Sequence, residues 1–411
     1  MEKKFYKSTI SKVIILMLVI GLAGCSDEVS PSLYDSSEQT SLPPEIISVN
    51  PPAEAVSAVT PVTITGKNFL SDTSMVKVYF GKKQGKILSA SASEIIVIPP
   101  NISGQMKIKI ATQTSLSFSN EYDYLLTPAA EEIYPPADDR TSQPYSIILD
   151  AQENVYSYNT GVGVMKIEPN GTSSLYSAKS GETFWTCMRF GTGGVLYGVR
   201  GLQAVFSIPF GGGVKNSPWV ALTPNTIKLS KIEFDADGNL WAAGKNSFIY
   251  KIKSDKSSSS FAFDYNVTAM RIFKKNETYF LYVAAQKDAS TKIIRLPIVN
   301  GELGTPEEYF DFSLKYGDNF IINDMTFAED GTLYLATDLN SPIVYVNPDK
   351  SHGYLYEGIL VEAPAVSIAW GSGNYMYYIR AAIKDAAGTI KVLPTIVKLN
   401  MLKKGAPYYG M

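Results

Sequence analysis

The feature that most limits how this chain can fold is a strand–turn–strand unit that returns along its last two-thirds. Its clearest copy is Ile232-Glu233-Phe234-Asp235-Ala236-Asp237-Gly238-Asn239-Leu240-Trp241-Ala242-Ala243-Gly244, two alternating apolar runs around an Asp-Gly-Asn turn. Residues 325–337 repeat it, with Phe327, Asp330-Gly331 and Tyr334 in the matching places. Looser copies lie at 147–156 and 188–197, and copies with an eroded turn at 270–283 and 368–378. Anchored on Leu149, Phe190, Phe234, Phe273, Phe327 and Trp370, the spacings are 41, 44, 39, 54 and 43 residues. Units of about 40–50 residues built from strands are the mark of propeller blades, whereas helical repeats would place apolar residues every third or fourth position. The pattern predicts six blades.

Composition narrows the function classes. A formal net charge of -2 supplies no basic field, so nucleic acid is not an expected partner. With two cysteines and one histidine, no disulfide framework or His/Cys metal cluster can be assembled. The N-terminus accounts for one cysteine. Lys3, Lys4, Lys7 and Lys12 precede a short apolar run at 13–23, and Leu22-Ala23-Gly24-Cys25 follows. That run is too short for a permanent span, which favours a signal peptide. The ending resembles a bacterial lipobox, implying cleavage before Cys25 and a diacylglycerol on its thiol, hence a membrane anchor. Ser26-Asp27-Glu28 resemble the acidic export signal of surface-displayed outer-membrane lipoproteins, or simply start a solvated tether. The domain reading is signal peptide 1–24, tether 25–43, a first β-domain 44–126, a linker 127–144 and the propeller 145–411.

Residues 44–126 carry short alternating strands separated by Gly, Pro, Asn and Ser, which predicts a small β-sandwich. Ile46-Ile47-Ser48-Val49-Asn50-Pro51, Gly66-Lys67-Asn68-Phe69, Val78-Tyr79-Phe80-Gly81 and Ile98-Pro99 resemble the IPT/TIG family of immunoglobulin-like domains. That resemblance implies a spacer or interaction module. Alanines in 53–58 stand where the family usually has glycines. The blades in turn resemble NHL-type propellers through Phe234–Trp241 and its copy at 327–334, and the whole is read as all-β.

Propellers bind at channel mouths, where loops converge, so the residues just ahead of each anchor are the expected site. Trp185 with Tyr158 and Arg189 either forms a sugar-stacking and carboxylate-binding platform or packs between blades. Asn323-Asp324 is similar to the metal-binding segment of gluconolactonase-type propellers. That similarity implies Asn323 as a calcium or magnesium ligand, but the acidic Glu-Gly-Pro-type segment of that family is not found. The alternative is that both side chains satisfy turn amides. His352 reads as a surface-turn residue, Cys187 as a core thiol, and Pro209-Phe210-Gly211-Gly212-Gly213 as a loop without phosphate-cradle features. The arrangement resembles accessory lipoproteins of outer-membrane nutrient-uptake systems. The expectation is non-catalytic binding of a glycan or similar polymer at the cell surface beside a transporter, with no cofactor. The alternatives are a divalent-metal lactonase and an adhesion or envelope-docking protein.

Overall fold

The computed structural model describes residues 41–136, 142–179, 184–213 and 218–410. The signal peptide, most of the tether, and Cys25, Ser26, Asp27 and Glu28 lie outside the described residues. The first domain is a sandwich of two sheets. One contains Glu45–Asn50, Val62–Lys67, Glu94–Ile98 and Lys86–Ala90; the other contains Glu54–Val56, Tyr122–Thr127, Gly104–Thr112, Val76–Phe80 and Lys83–Gln84. Alternate residues such as Val62, Ile64, Val78, Phe80, Ile108 and Ile110 point inward and form one core.

The Gly-Lys-Asn-Phe segment has a physical basis. A Cβ on Gly66 would overlap the Glu45 carbonyl and the Phe69 ring, Asn68 takes a left-handed φ of 60° and donates to the Pro43 carbonyl, and Phe69 enters the core. At the alanine-bearing turn, Ala58 itself adopts φ 58° while its N–H donates to the Pro99 carbonyl.

Six further sheets form the propeller. Their inner strands are Pro144–Leu149, Cys187–Gly191, Leu229–Phe234, Asn266–Lys275, Ile322–Phe327 and Ala365–Trp370. Each packs against the inner strand of the next blade, and the sixth packs against the first. The anchors fill the cores between blades, as Phe327 does among Met325, Leu333 and Leu335.

Turn chemistry explains the repeat. Asp235 is buried and its carboxylate accepts from the N–H groups of Asp237 and Asn239, from Asn239 Nδ2 and from Trp241 Nε1. Asp150 does the same with Gln152, Asn154 and the Tyr156 hydroxyl. Asp330 accepts from the N–H of Thr332.

Two expectations need correction. In the fourth blade the residue opposite Leu281 is Ile272, as Phe234 is opposite Leu240 and Phe327 opposite Leu333. The anchor is therefore Ile272, not Phe273; a ten-residue hairpin without the Asp turn had hidden the register. Second, the segment 127–144 is more than a linker. Ala130–Tyr134 pairs antiparallel with Thr395–Asn400 as the outermost strand of the sixth blade and closes the ring. Its exposed Glu131 and Glu132 suit an edge strand. Tyr145 belongs to the first blade's inner strand, and Ile390–Val392 forms a separate hairpin with Ile383–Lys384.

Candidate functional site

On the second to fifth inner strands, the residue before the anchor and, on three of them, the one two places earlier are buried polar or titratable side chains, several of which meet across the ring. The second blade supplies Arg189 and Cys187, the third Glu233 and Lys231, the fourth Arg271, and the fifth Thr326 and Asp324; all are buried. Glu233 sits between the two arginines: Arg189 Nε is 2.9 Å from its Oε2 and Arg271 Nη1 is 3.6 Å from its Oε1. Arg189 Nη2 lies 3.9 Å from Asp324 Oδ1. Burial works against the Arg189 charge, but Cys187, Glu233, Tyr408 and Asp324 together raise its pKa well above the ordinary value, so it stays a cation. Lys231 Nζ donates to the Asn323 carbonyl at 2.5 Å.

The end of the channel where the inner strands finish is sealed by the segment that follows the last strand. The N–H of Gly405 donates to the Gly373 carbonyl, and that of Ala406 to Phe327. Arg271 Nη2 donates to the carbonyls of Ala406, at 3.1 Å, and Pro407, at 2.9 Å. The Tyr408 ring is buried over the arginines, its centroid 3.6 Å from the Arg271 guanidinium carbon and 5.1 Å from that of Arg189.

The expected site residues are thus placed as follows. Trp185 is fully buried and stacks on Tyr158, centroids 5.8 Å apart at 16°. Gly198 makes room for it, since a Cβ there would overlap the indole. Of the two readings of Trp185, packing between blades is the one the fold adopts, so neither ring offers an open face. Arg189 is committed to Glu233 and to the Met188 carbonyl. Asn323 Nδ2 donates to the Ala365 carbonyl. Asp324 accepts from the N–H of Met325 and, across the blade boundary, from the Ser367 hydroxyl and the N–H of Ile368. Both side chains therefore serve the joint between the fifth and sixth blades. Cys187 is buried and its thiol pKa is pushed up by burial. His352 is exposed and starts the outer strand of the fifth blade.

A cleft of about 600 Å³ opens elsewhere, on the same end of the ring as the sealing segment, between the first and second blades. This volume suits a small-molecule or oligomer site. One wall is Tyr156 and Tyr176, set edge-to-face 4.9 Å apart, with Tyr156 also edge-on to Phe190 at 4.9 Å. The opposite wall is the turn holding Thr192, Gly193 and Gly194, capped by Phe210. Phe210 is 80% exposed, a large aromatic held open to solvent. It is presented by a turn whose Gly211, Gly212 and Gly213 have φ of 83°, 92° and 122°. The turn is pinned by hydrogen bonds from the Tyr176 hydroxyl to Pro209 and from the N–H of Gly213 to Tyr176. Tyr409 and Gly410 form the inner wall. Asp150 and Lys166 reach the cleft, but Asp150 is engaged by its own turn and Lys166 lies 3.4 Å from Glu168. Gln152 and Thr192 are exposed at the rim. Sequence reasoning took 209–213 for a loop and missed the cleft; the signal was an aromatic set in a glycine run.

Residues 44–126 match the IPT/TIG domain family. No curated protein matches the chain by sequence. Among solved structures, the chain is similar to an auxiliary nutrient binding protein from Bacteroides thetaiotaomicron, with TM-score 0.50 and 13% identity over 87% of this chain and 97% of that one. An auxiliary nutrient binding protein from Bacteroides ovatus gives TM-score 0.50 and 12% identity over 87% and 98%. A luciferin-regenerating enzyme gives TM-score 0.53 and 14% identity over 69% and 99%. At such identities the likeness is one of fold. The two auxiliary proteins match a span longer than the propeller alone, so the likeness takes in part of the first domain as well. The chain joins an IPT/TIG immunoglobulin-like domain to a six-bladed β-propeller.

Proposed function

We propose that the chain is a lipid-anchored, surface-displayed binding protein that captures a glycan or similar polymer for an outer-membrane nutrient-uptake system, without catalysis. The observation that carries this reading is the cleft between the first and second blades, where tyrosines and an exposed phenylalanine face a few polar rim groups. Flat aromatic rings match the apolar faces of sugar rings, and hydrogen-bonding side chains at the rim match hydroxyls. The charges at the cleft are already engaged, Asp150 by its turn and Lys166 by Glu168. That favours a neutral saccharide over a uronic or sulfated one, because among the described residues lining the cleft no uncommitted cation awaits an anion. Cys25 would carry the lipid and Ser26-Asp27-Glu28 the export information, with the tether holding both domains away from the membrane. The fold shared with auxiliary nutrient binding proteins supports the same reading.

The test is titration calorimetry of the chain without its first 25 residues against neutral and acidic oligosaccharides, with and without chelator. Saturable binding of a neutral member is expected, insensitive to chelator. Phe210→Ala should weaken it tenfold or more, about 1.4 kcal/mol, without moving the melting temperature. Binding that ignores Phe210→Ala and Tyr176→Ala, or an absence of binding across the panel, would remove the cleft from consideration.

A further inference from the structure

We infer that the segment 405–410 shapes the cleft, and that Arg271 and Tyr408, set in the channel away from the cleft opening, are its positioning residues; this rests on the cleft being the ligand site. Tyr408 is the anchor: it is buried over the Arg271 guanidinium, and its hydroxyl lies 3.4 Å from Thr326 Oγ1. Arg271 grips the two carbonyls just before it, those of Ala406 and Pro407. One planar guanidinium thus fixes both the backbone and the ring of the segment, a geometry that the point charge of a lysine cannot reproduce.

From this anchor the next two residues go straight to the cleft wall. Tyr409 sets its ring edge-on to Tyr279, with centroids 5.1 Å apart at 82°. The backbone of Gly410 lies so close to the Phe190 carbonyl that a Cβ would overlap it. Phe190 contributes to the cleft from the other side of this contact. A shift at Tyr408 is therefore transmitted to Tyr409 and Gly410, and to the width of the cleft.

The test compares Tyr408→Leu, Tyr408→Phe and Gly410→Ala with the unmodified protein. Amide hydrogen exchange is followed over 192–194 and 406–410, and affinity is measured for the neutral oligosaccharide that the unmodified protein binds best. Tyr408→Leu should speed exchange at 406–410 tenfold or more and weaken binding by a similar factor. Tyr408→Phe keeps the ring over Arg271 and should stay within twofold on both, a rescue that general destabilisation would not give. Gly410→Ala leaves the channel cluster untouched and serves where Tyr408→Leu folds poorly; it should weaken binding tenfold with an unchanged melting temperature. Unchanged affinity in both Tyr408→Leu and Gly410→Ala overturns the inference, whatever the exchange does. If no oligosaccharide binds the unmodified protein, the glycan reading falls. Exchange then decides alone, and unchanged protection at 192–194 in Tyr408→Leu overturns the inference.

Discussion

Replacing Glu233 by glutamine should destabilise the propeller more than any surface change. The carboxylate is buried between Arg189 and Arg271, and only Asp324 among the described residues offers another negative charge to this part of the channel. Taking the charge away leaves Arg189, Arg271 and Lys231 facing one carboxylate. Breaking a buried pair by removing one partner costs about 3–5 kcal/mol, because a desolvated charge is left without its counter-ion. For a domain of this size that is a fall in melting temperature of roughly 6–10 °C. The four tryptophans, at 185, 219, 241 and 370, all lie in the propeller and none in the sandwich, so their fluorescence reports this unit alone. A double variant, Glu233→Leu with Arg189→Met, should recover much of the loss, since apolar groups of similar volume replace buried ion pairs at little cost. A drop below about 1 kcal/mol for Glu233→Gln would place the cluster in a surface-like dielectric and refute the argument.

Two further outcomes follow from the turns. Asp235→Ala should cost about 3 kcal/mol, because it leaves the buried Trp241 Nε1 and two backbone N–H groups without their acceptor. Asp330→Ala, with one such backbone N–H, should cost about 1 kcal/mol; equal losses in urea titration would show that the carboxylate network does not set the difference. In the sandwich, Ala58→Gly should raise stability by about 0.5 kcal/mol through relief of the left-handed alanine, and a lower calorimetric transition for that domain would contradict it.

The architecture was legible where local chemistry repeats. The Asp-Gly turns announce themselves because an aspartate followed directly by a glycine at positive φ recurs after the inner strand, as at Asp237-Gly238 and Asp330-Gly331. Where that chemistry is missing the reading slipped, as in the fourth blade, whose turn is Asn276-Glu277 with φ of 48° and 66°. The closing strand Ala130–Tyr134 was hidden by its charges, which mark a sheet edge as readily as a linker. The sealing segment had no periodicity to reveal it, because its partners Arg271, Phe327 and Gly373 are distant in sequence. Trp185 stays open between two readings in the sequence for a related reason: whether an indole is open or wedged depends on Gly198 in the neighbouring strand, which no local pattern announces.

The cleft lies where the repeat abandons its own turn chemistry, and that gives one more prediction. In the first, third and fifth blades an aspartate caps the turn after the inner strand. In the second blade Thr192-Gly193-Gly194 replaces it, with φ of 74° and 72° at the two glycines. The substitution has a geometric use, because a Cβ on Gly194 would come within 2.7 Å of the Phe210 ring. The bare glycine lets that ring come close against the turn while it stays largely in solvent. Gly194→Ala should therefore cost about 1 kcal/mol of strain and push Phe210 out of place. Its effect on oligosaccharide affinity should match that of Phe210→Ala, and the two together should be no worse than either alone, since both remove the same wall. Additive losses would mean that Gly194 acts on the ligand directly and that the ring does not need the glycine beneath it.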